Sequence, residues 1–317
     1  MSLLGSETAT TAQDHGVLDR SQKAFIEESF DGVSALGGAT GTLQGNQVAQ
    51  TSKQSFIGFT FSTLNELRFV KFALASFVIN NLRRRYQRSF LGFAWSLLNP
   101  LMMMIVLTAV FSILFHRDPR TFSIYVFTGM LPWTFIADSI TMGSLSITGA
   151  EGFMKKVYIP KIFFPLVSVS TEVINFGLSL ISMMFLALFV GLKLQWTLVL
   201  LPFAIVLTYL YTFGIVLALA VATVYFRDLT HVVRVVLQSF FYLIPIVYPI
   251  SAVPPKYSAF FLANPFSQFI NLYRQIIFNG QVPSLEEWAI PVALTLTTLF
   301  IGFYVLMKQE KDIIFRL

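Results

Sequence analysis

The sequence predicts an all-α integral membrane protein with six transmembrane helices, and three observations carry that reading. Of 317 residues, 55% are hydrophobic and 12% charged, with a mean hydropathy of +0.70, more apolar than a soluble core of that size requires. The charges gather in short clusters between long apolar blocks. The sharpest such boundary is RRRYQRSFLGFAWSLLNPLMMMIVLTAVFSILF, where Arg83, Arg84, Arg85 and Arg88 precede an uncharged run that ends at Phe115. From Leu97 to Phe115 that run rises about 28 Å as a helix, close to the hydrocarbon thickness of a bilayer. Arginines are costly in that layer, so they mark the cytoplasmic edge and orient the helix.

Taken in order, residues 1–55 are rich in Ser, Thr, Gly, Gln and Ala and contain no apolar core region. They read as a flexible polar cytoplasmic extension rather than a cleavable signal peptide, with one short helical candidate, SQKAFIEESF. Over 56–88, Leu64, Leu67, Leu74, Phe77, Val78 and Leu82 recur at three-, four- and seven-residue steps. The apolar run Phe72 to Ile79 is too short to span, so an amphipathic interface helix is expected there. Residues 89–317 form the six-span domain, with spans at about 94–115, 122–147, 162–191, 197–224, 231–250 and 288–307. HRDPR at 116–120 is a short outer loop, and GAEGFMKKVYIPK at 149–161 is a charged connection too short for a domain. Residues 254–279 hold two apolar pieces broken at Asn264-Pro265, each too short to cross. A pair of helices dipping into the outer leaflet and returning satisfies that pattern.

The basic residues test this topology. Arg68, Lys71, Arg83 to Arg85, Arg88, Lys155, Lys156, Lys161, Arg227, Arg234, Lys308, Lys311 and Arg316 fall on the inner side, against Arg117, Arg120, Lys193, Lys256 and Arg274 outside. That bias fits an even number of spans with both termini cytoplasmic. The net charge of +6 therefore reflects membrane edges, and no nucleic-acid partner is expected. There is no cysteine, and His15, His116 and His231 lie far apart, so no metal site is expected. No GxxxxGK[ST] phosphate loop and no GxSxG elbow occurs, which leaves an enzyme reading little support.

Two ionisable residues fall inside spans, Asp138 and Glu172. Either they form a proton relay, or they hydrogen-bond to neighbouring Ser139, Thr141, Ser170, Thr171 or backbone. In the 149–161 connection, Glu151, Phe153, Met154, Lys155, Lys156 and Tyr158 put charge and bulk before Pro160. Such a segment suits a short helix seated in a groove of a soluble partner, with Phe153 or Met154 as anchor, or a plain membrane-edge loop. Aromatic residues make up 15% of the chain, and several, among them Tyr125, Trp133, Phe240 and Tyr248, lie in or near the outer half. Interfacial belts and a carbohydrate path both account for them.

RYQRSFLGFAWSLLNPL entering span 1, EGFMKKVYIPK after span 2, FRDL (Phe226 to Leu229) after span 4 and the broken NP hairpin occur in an order that resembles a known family. Over about 56–317 the chain is similar to the permease subunit of type-2 ABC exporters for polysaccharides and lipid-linked glycans, the O-antigen, teichoic acid and capsule exporters. The resemblance implies a homodimer in the bacterial inner membrane, working with two copies of an ATP-binding cassette subunit. ATP and Mg would sit on that subunit, and this chain would carry no cofactor and no catalysis of its own. Glu151 to Pro160 would be the coupling helix, and Ser89 to Ser96, with Phe90 and Trp95, the cytoplasmic gate. Arg83, Arg84, Arg85 and Arg88 would meet lipid headgroups, as membrane anchors or as a site for the carrier's pyrophosphate. Spans 1 and 5 would line the path, with Asn99, Met103, Phe240, Tyr242 and Tyr248 as candidates, and 254–279 would be paired re-entrant helices. The cargo implied is an undecaprenyl-linked glycan. A type-2 exporter of small hydrophobic compounds is the alternative, ahead of a gradient-driven transporter or a lipid-linked-sugar transferase.

Overall fold

The computed structural model describes residues 58, 60, 63, 71–87, 94–155, 159–190, 195–310 and 312–316, and among these every regular element is helical. Of the residues singled out above, Leu64, Leu67, Arg68, Arg88, Ser89, Phe90, Lys156, Tyr158, Lys193 and Lys311 lie outside the described set, as does the extension at 1–55. The first long element, α1 (Lys71–Tyr86), carries Arg83, Arg84 and Arg85 in its last turn, where cations complement the helix dipole. Its apolar stripe of Leu74, Phe77, Val78 and Leu82 packs on Phe163, Phe164 and Val167 at the start of α5 (Phe163–Val190).

Helix α2 (Trp95–Leu114) leads through a left-handed His116 to α3 (Pro119–Ser144). The Asp118 side chain accepts from the Thr121 amide at 3.0 Å, and Pro119 occupies the first helical turn. This cap starts α3 three residues before the expected 122 and shortens the connection from α2 accordingly. After a 3-10 turn at Thr148–Ala150 comes the single-turn α4 (Glu151–Met154). Then follow α5, a 3-10 turn at Trp196–Leu200 running into α6 (Leu201–Tyr225), and α7 (Leu229–Leu243).

Helix α7 differs most from expectation. It stops at Leu243 rather than near 250 because Pro245 and Pro249 follow, and the residue before a proline is pushed out of the helical region. Ile244 is extended, and the buried stretch Ile244 to Val247 continues without regular structure. Fifteen residues give a rise of about 22 Å, less than the hydrocarbon thickness. Beyond it lie α8 (Pro255–Leu262), α9 (Pro265–Tyr273) with a π-helical turn at Arg274–Asn279, α10 (Leu285–Gln309) and α11 (Ile313–Arg316). Among the described residues, α5, α6 with its preceding turn, and α10 are long and apolar enough to cross a membrane, while α2 and α7 are shorter apolar helices.

Helix α3 is the hub, packing against α2, α5, α6, α7 and α9. Helices α6 and α10 form the most extensive pair because two glycines let their backbones meet. A Cβ on Gly214 would lie 2.5 Å from the Thr298 carbonyl carbon, and one on Gly302 would strike the Gly214 carbonyl oxygen. The break at Asn264-Pro265 is a helix start, with the Asn264 side chain accepting from the Phe266 amide at 3.0 Å. Helix α9 is then sunk in the core. Phe269, Leu272 and Tyr273 are fully buried, and the Tyr273 hydroxyl meets that of Thr208 at 3.1 Å.

Candidate functional site

The last turn of α1, the first turns of α2, and facing stretches of α3 and α5 surround a cavity of about 470 Å³. On α5 the lining residues Glu172, Asn175, Phe176 and Ser179 are three or four apart and so share one face, and on α3 Thr134 and Asp138 do the same. Arg85 Nη1 donates to both Glu172 carboxylate oxygens, at 2.8 and 2.9 Å, and Asn175 Nδ2 donates to Oε2 at 3.2 Å. The Glu172 side chain is 7% exposed and that of Arg85 38%, so a largely buried carboxylate is matched by a cation reaching in from the edge.

This arrangement corrects the expectation that neighbouring hydroxyls satisfy the two acids. The Thr141 and Thr171 hydroxyls donate to carbonyls one turn back, those of Ala137 and Val167, and Ser170 pairs with the Tyr209 hydroxyl. The Ser139 hydroxyl is buried with no hydrogen-bond partner among the described residues. Residues adjacent in sequence point about 100° apart on a helix, so sequence neighbours of Asp138 and Glu172 face elsewhere. Arg85 is thus ion-paired with Glu172 through Nη1, whereas Arg83 and Arg84, its neighbours in the cluster, are exposed.

A second cluster surrounds α4. Phe77 of α1 meets Phe153 edge-on at 5.8 Å and Phe163 of α5 at 5.3 Å, so one ring touches three helices. Phe153 is itself 39% exposed, and Met154 packs against the buried cluster of Val78, Ala150, Phe163, Phe164 and Val167. Glu151 pairs with Lys155 one turn on, at 2.6 Å. The Lys155 hydrogen bond and charge hold the Glu151 carboxyl below its usual range, so the pair is intact at neutral pH and is lost only as pH falls through that lowered value. From Phe77 to Arg85 is eight residues, and from Phe163 to Glu172 nine, or about 12 and 14 Å of rise. The two contacts between α1 and α5 are therefore evenly matched along parallel helices, one aromatic and one ionic.

The proposed path residues divide. Met103 and Tyr242 are exposed, and Asn99 is exposed at the cavity. Phe240 packs edge-on against Phe266 at 5.3 Å, in a cluster with Trp133 and Tyr211. Tyr248 donates to the Tyr242 carbonyl at 2.8 Å, and its own carbonyl accepts from the Tyr125 hydroxyl at 3.2 Å. Trp95 opens α2 at the cavity rim. Arg274, counted with the outer-side cations and within the expected 254–279 pair, is 9% exposed. Its Nη2 donates to the Ile246 carbonyl at 2.7 Å and its guanidinium lies 4.0 Å from the Tyr125 ring centre. It ties the π-turn to α3 and to the irregular stretch after α7. The Glu287 carboxylate is likewise structural: Oε1 accepts from Asn271 and Gln275, and Oε2 accepts from the Ser284 amide. Among the described residues no group of three or more His, Asp or Glu side chains is placed to hold a metal ion.

Residues 73–278 match the family described as ABC-2 type transporter. The chain belongs to that family. The matched region contains Arg85, Asp138, Glu172, the α4 turn and the paired helices α8 and α9, so the cavity and the aromatic junction lie within it. The chain is 30% identical over 241 residues, 75% of its length and 93% of the relative's, to an O-antigen export system permease protein RfbA of Myxococcus xanthus. It is 30% identical over 208 residues to an RfbA protein of Klebsiella pneumoniae, covering 64% of this chain and 80% of that one. The polysialic acid transport protein KpsM of Escherichia coli is 23% identical over 221 residues, 66% and 82% of the two chains.

Proposed function

We propose that this chain is the membrane subunit of an ATP-driven exporter that moves a lipid-linked polysaccharide from the cytoplasmic side outward. Two copies would work with two copies of an ATP-binding subunit, which supplies ATP, Mg and hydrolysis. The similarity to O-antigen permeases across nearly the whole length of one relative carries the reading. Its structural support is the state of α2 and α7. Helix α2 buries a narrow stripe of Met104, Thr108 and Ser112 and leaves most of its circumference uncovered. Helix α7 exposes His231, Arg234, Gln238 and Tyr242 along one side. Polar groups on a membrane helix face a partner or water rather than lipid, so the exposed side of α7 suits a path formed with a second copy, while the uncovered apolar face of α2 suits lipid or that copy.

In this reading α1 lies at the cytoplasmic interface and Phe153, exposed on α4, seats on the ATP-binding subunit. Phe77 passes movement of α4 to α1 and α5 together. Helices α8 and α9 form a re-entrant pair at the outer side, with α9 enclosed by protein and α8 exposed. Arg83 and Arg84 face the anionic inner headgroups. Deletion of the gene should leave glycan-lipid inside the cell, and the unaltered gene should restore it at the surface, read by surface glycan labelling. Surface glycan that persists without the gene, together with lost efflux of a hydrophobic dye, would favour the small-molecule exporter.

A further inference from the structure

The cavity between α1, α2, α3 and α5 is not explained by a role for its arginine alone. Two carboxylates, Asp138 and Glu172, face one guanidinium, that of Arg85, and Glu172 already engages it through both oxygens. Ionised, the cavity carries an excess of negative charge, which disfavours phosphate or pyrophosphate. Asp138 and Asn99 make no side-chain hydrogen bond among the described residues, so one strong acceptor and one amide remain for an occupant. Trp95, half-exposed at the rim, offers a flat apolar face beside them. At about 470 Å³ the space falls within the roughly 300–1,000 Å³ typical of small-molecule sites.

Hydroxyl donors meeting a carboxylate and an amide, with ring C–H groups against an aromatic face, are the chemistry of a sugar ring. We propose that this cavity is a sugar-binding subsite for the cargo glycan, separate from whatever holds the carrier's phosphates. The proposal rests on the glycan-export reading and narrows it: Asp138 and Asn99 bind sugar hydroxyls, Trp95 stacks on the ring, and the Arg85–Glu172 pair fixes the wall.

The test uses the full permease with its ATP-binding partner in lipid nanodiscs. Equilibrium binding is measured for three probes: the lipid-linked glycan extracted from the source cells, the free glycan released from that extract, and bare undecaprenyl pyrophosphate. Asp138→Ala and Asn99→Ala should each weaken the first two about tenfold, the loss of one hydrogen bond to a charged or well-placed group, and leave the bare carrier unchanged. Asn99 sits on the exposed rim, so its variant carries the comparison even where Asp138→Ala fails to insert. Unchanged binding of all three probes to the variants, as a merely water-filled cavity gives, would overturn the subsite. So would weakening confined to the bare carrier, which would make this a phosphate site. If the unaltered complex binds neither glycan form, the export reading fails and the subsite with it.

Discussion

Glu172 depends on a partner 87 residues earlier in the chain, and its replacement and that of Arg85 should not be equivalent. Arg85→Ala leaves a 7%-exposed carboxylate without its cation and with Asn175 still donating to it, whereas Glu172→Gln keeps a neutral acceptor for the same donors. With Arg85 more than a third exposed, solvent screens part of the loss, and about 1–3 kcal/mol is expected for Arg85→Ala and less for Glu172→Gln. Thermal unfolding in detergent should rank the two variants in that order, and the charge swap Arg85→Glu with Glu172→Arg should recover part of the loss. The acids at 138 and 172 are legible in the sequence as costly residues within apolar runs. Their partner is not, because the arginine cluster reads as one block at the membrane edge. Only the helical phase of α1 separates Arg85, turned toward α5, from Arg83 and Arg84. Arg274 is legible only as a cation within the second apolar piece of 254–279, and its burial follows from the packing of the helical segment around it.

At the scale of elements, the expected runs at 94–115, 162–191, 197–224 and 288–307 lie within a few residues of α2, α5, α6 with its preceding turn, and α10, because uninterrupted hydropathy is a signal of length. Helix ends were set instead by caps and prolines: Asp118 and Pro119 advance the start of α3, and Pro245 cuts α7 short. The close approach of α6 to α10 leaves no room for a side chain, so Gly214→Val should separate the pair and sharply reduce the folded fraction. Fluorescence-detected size exclusion would read this as aggregation, while Gly177→Ala, which meets nothing within 4 Å, should behave as the unaltered chain. The aromatic junction gives an energetic and a functional prediction. Phe77→Ala removes the ring shared by α1, α4 and α5 and should cost about 3–5 kcal/mol if the site does not collapse. Phe153→Ala, at a half-exposed position, should cost far less stability yet weaken stimulation of ATP hydrolysis by cargo. Equal losses of stability in the two variants, with stimulation intact in Phe153→Ala, would contradict the coupling role of α4.

The whole molecule joins a firm scaffold to two poorly covered helices. A hub helix, a glycine-tightened pair and a core-embedded α9 make a firm scaffold, while α2 and α7 remain poorly covered and polar residues stand on the uncovered side of α7. Such a surface is incomplete alone, which is why a second copy and a path between copies belong to the proposed function. Because the chain contains no cysteine, single cysteines placed at Gln238 or Tyr242 can report that path without background. They should crosslink between copies or react with a water-soluble thiol reagent, and a lipid-facing position such as Phe203 should do neither. The most direct measurement is ATP-dependent transport by the purified permease and its ATP-binding subunit in proteoliposomes loaded with the extracted lipid-linked glycan. Glycan should move to the leaflet opposite the ATP-binding subunit and become accessible to a membrane-impermeant glycosidase only when ATP is hydrolysed. Accessibility that does not change with ATP, while the same vesicles expel a small hydrophobic dye, would contradict polysaccharide export.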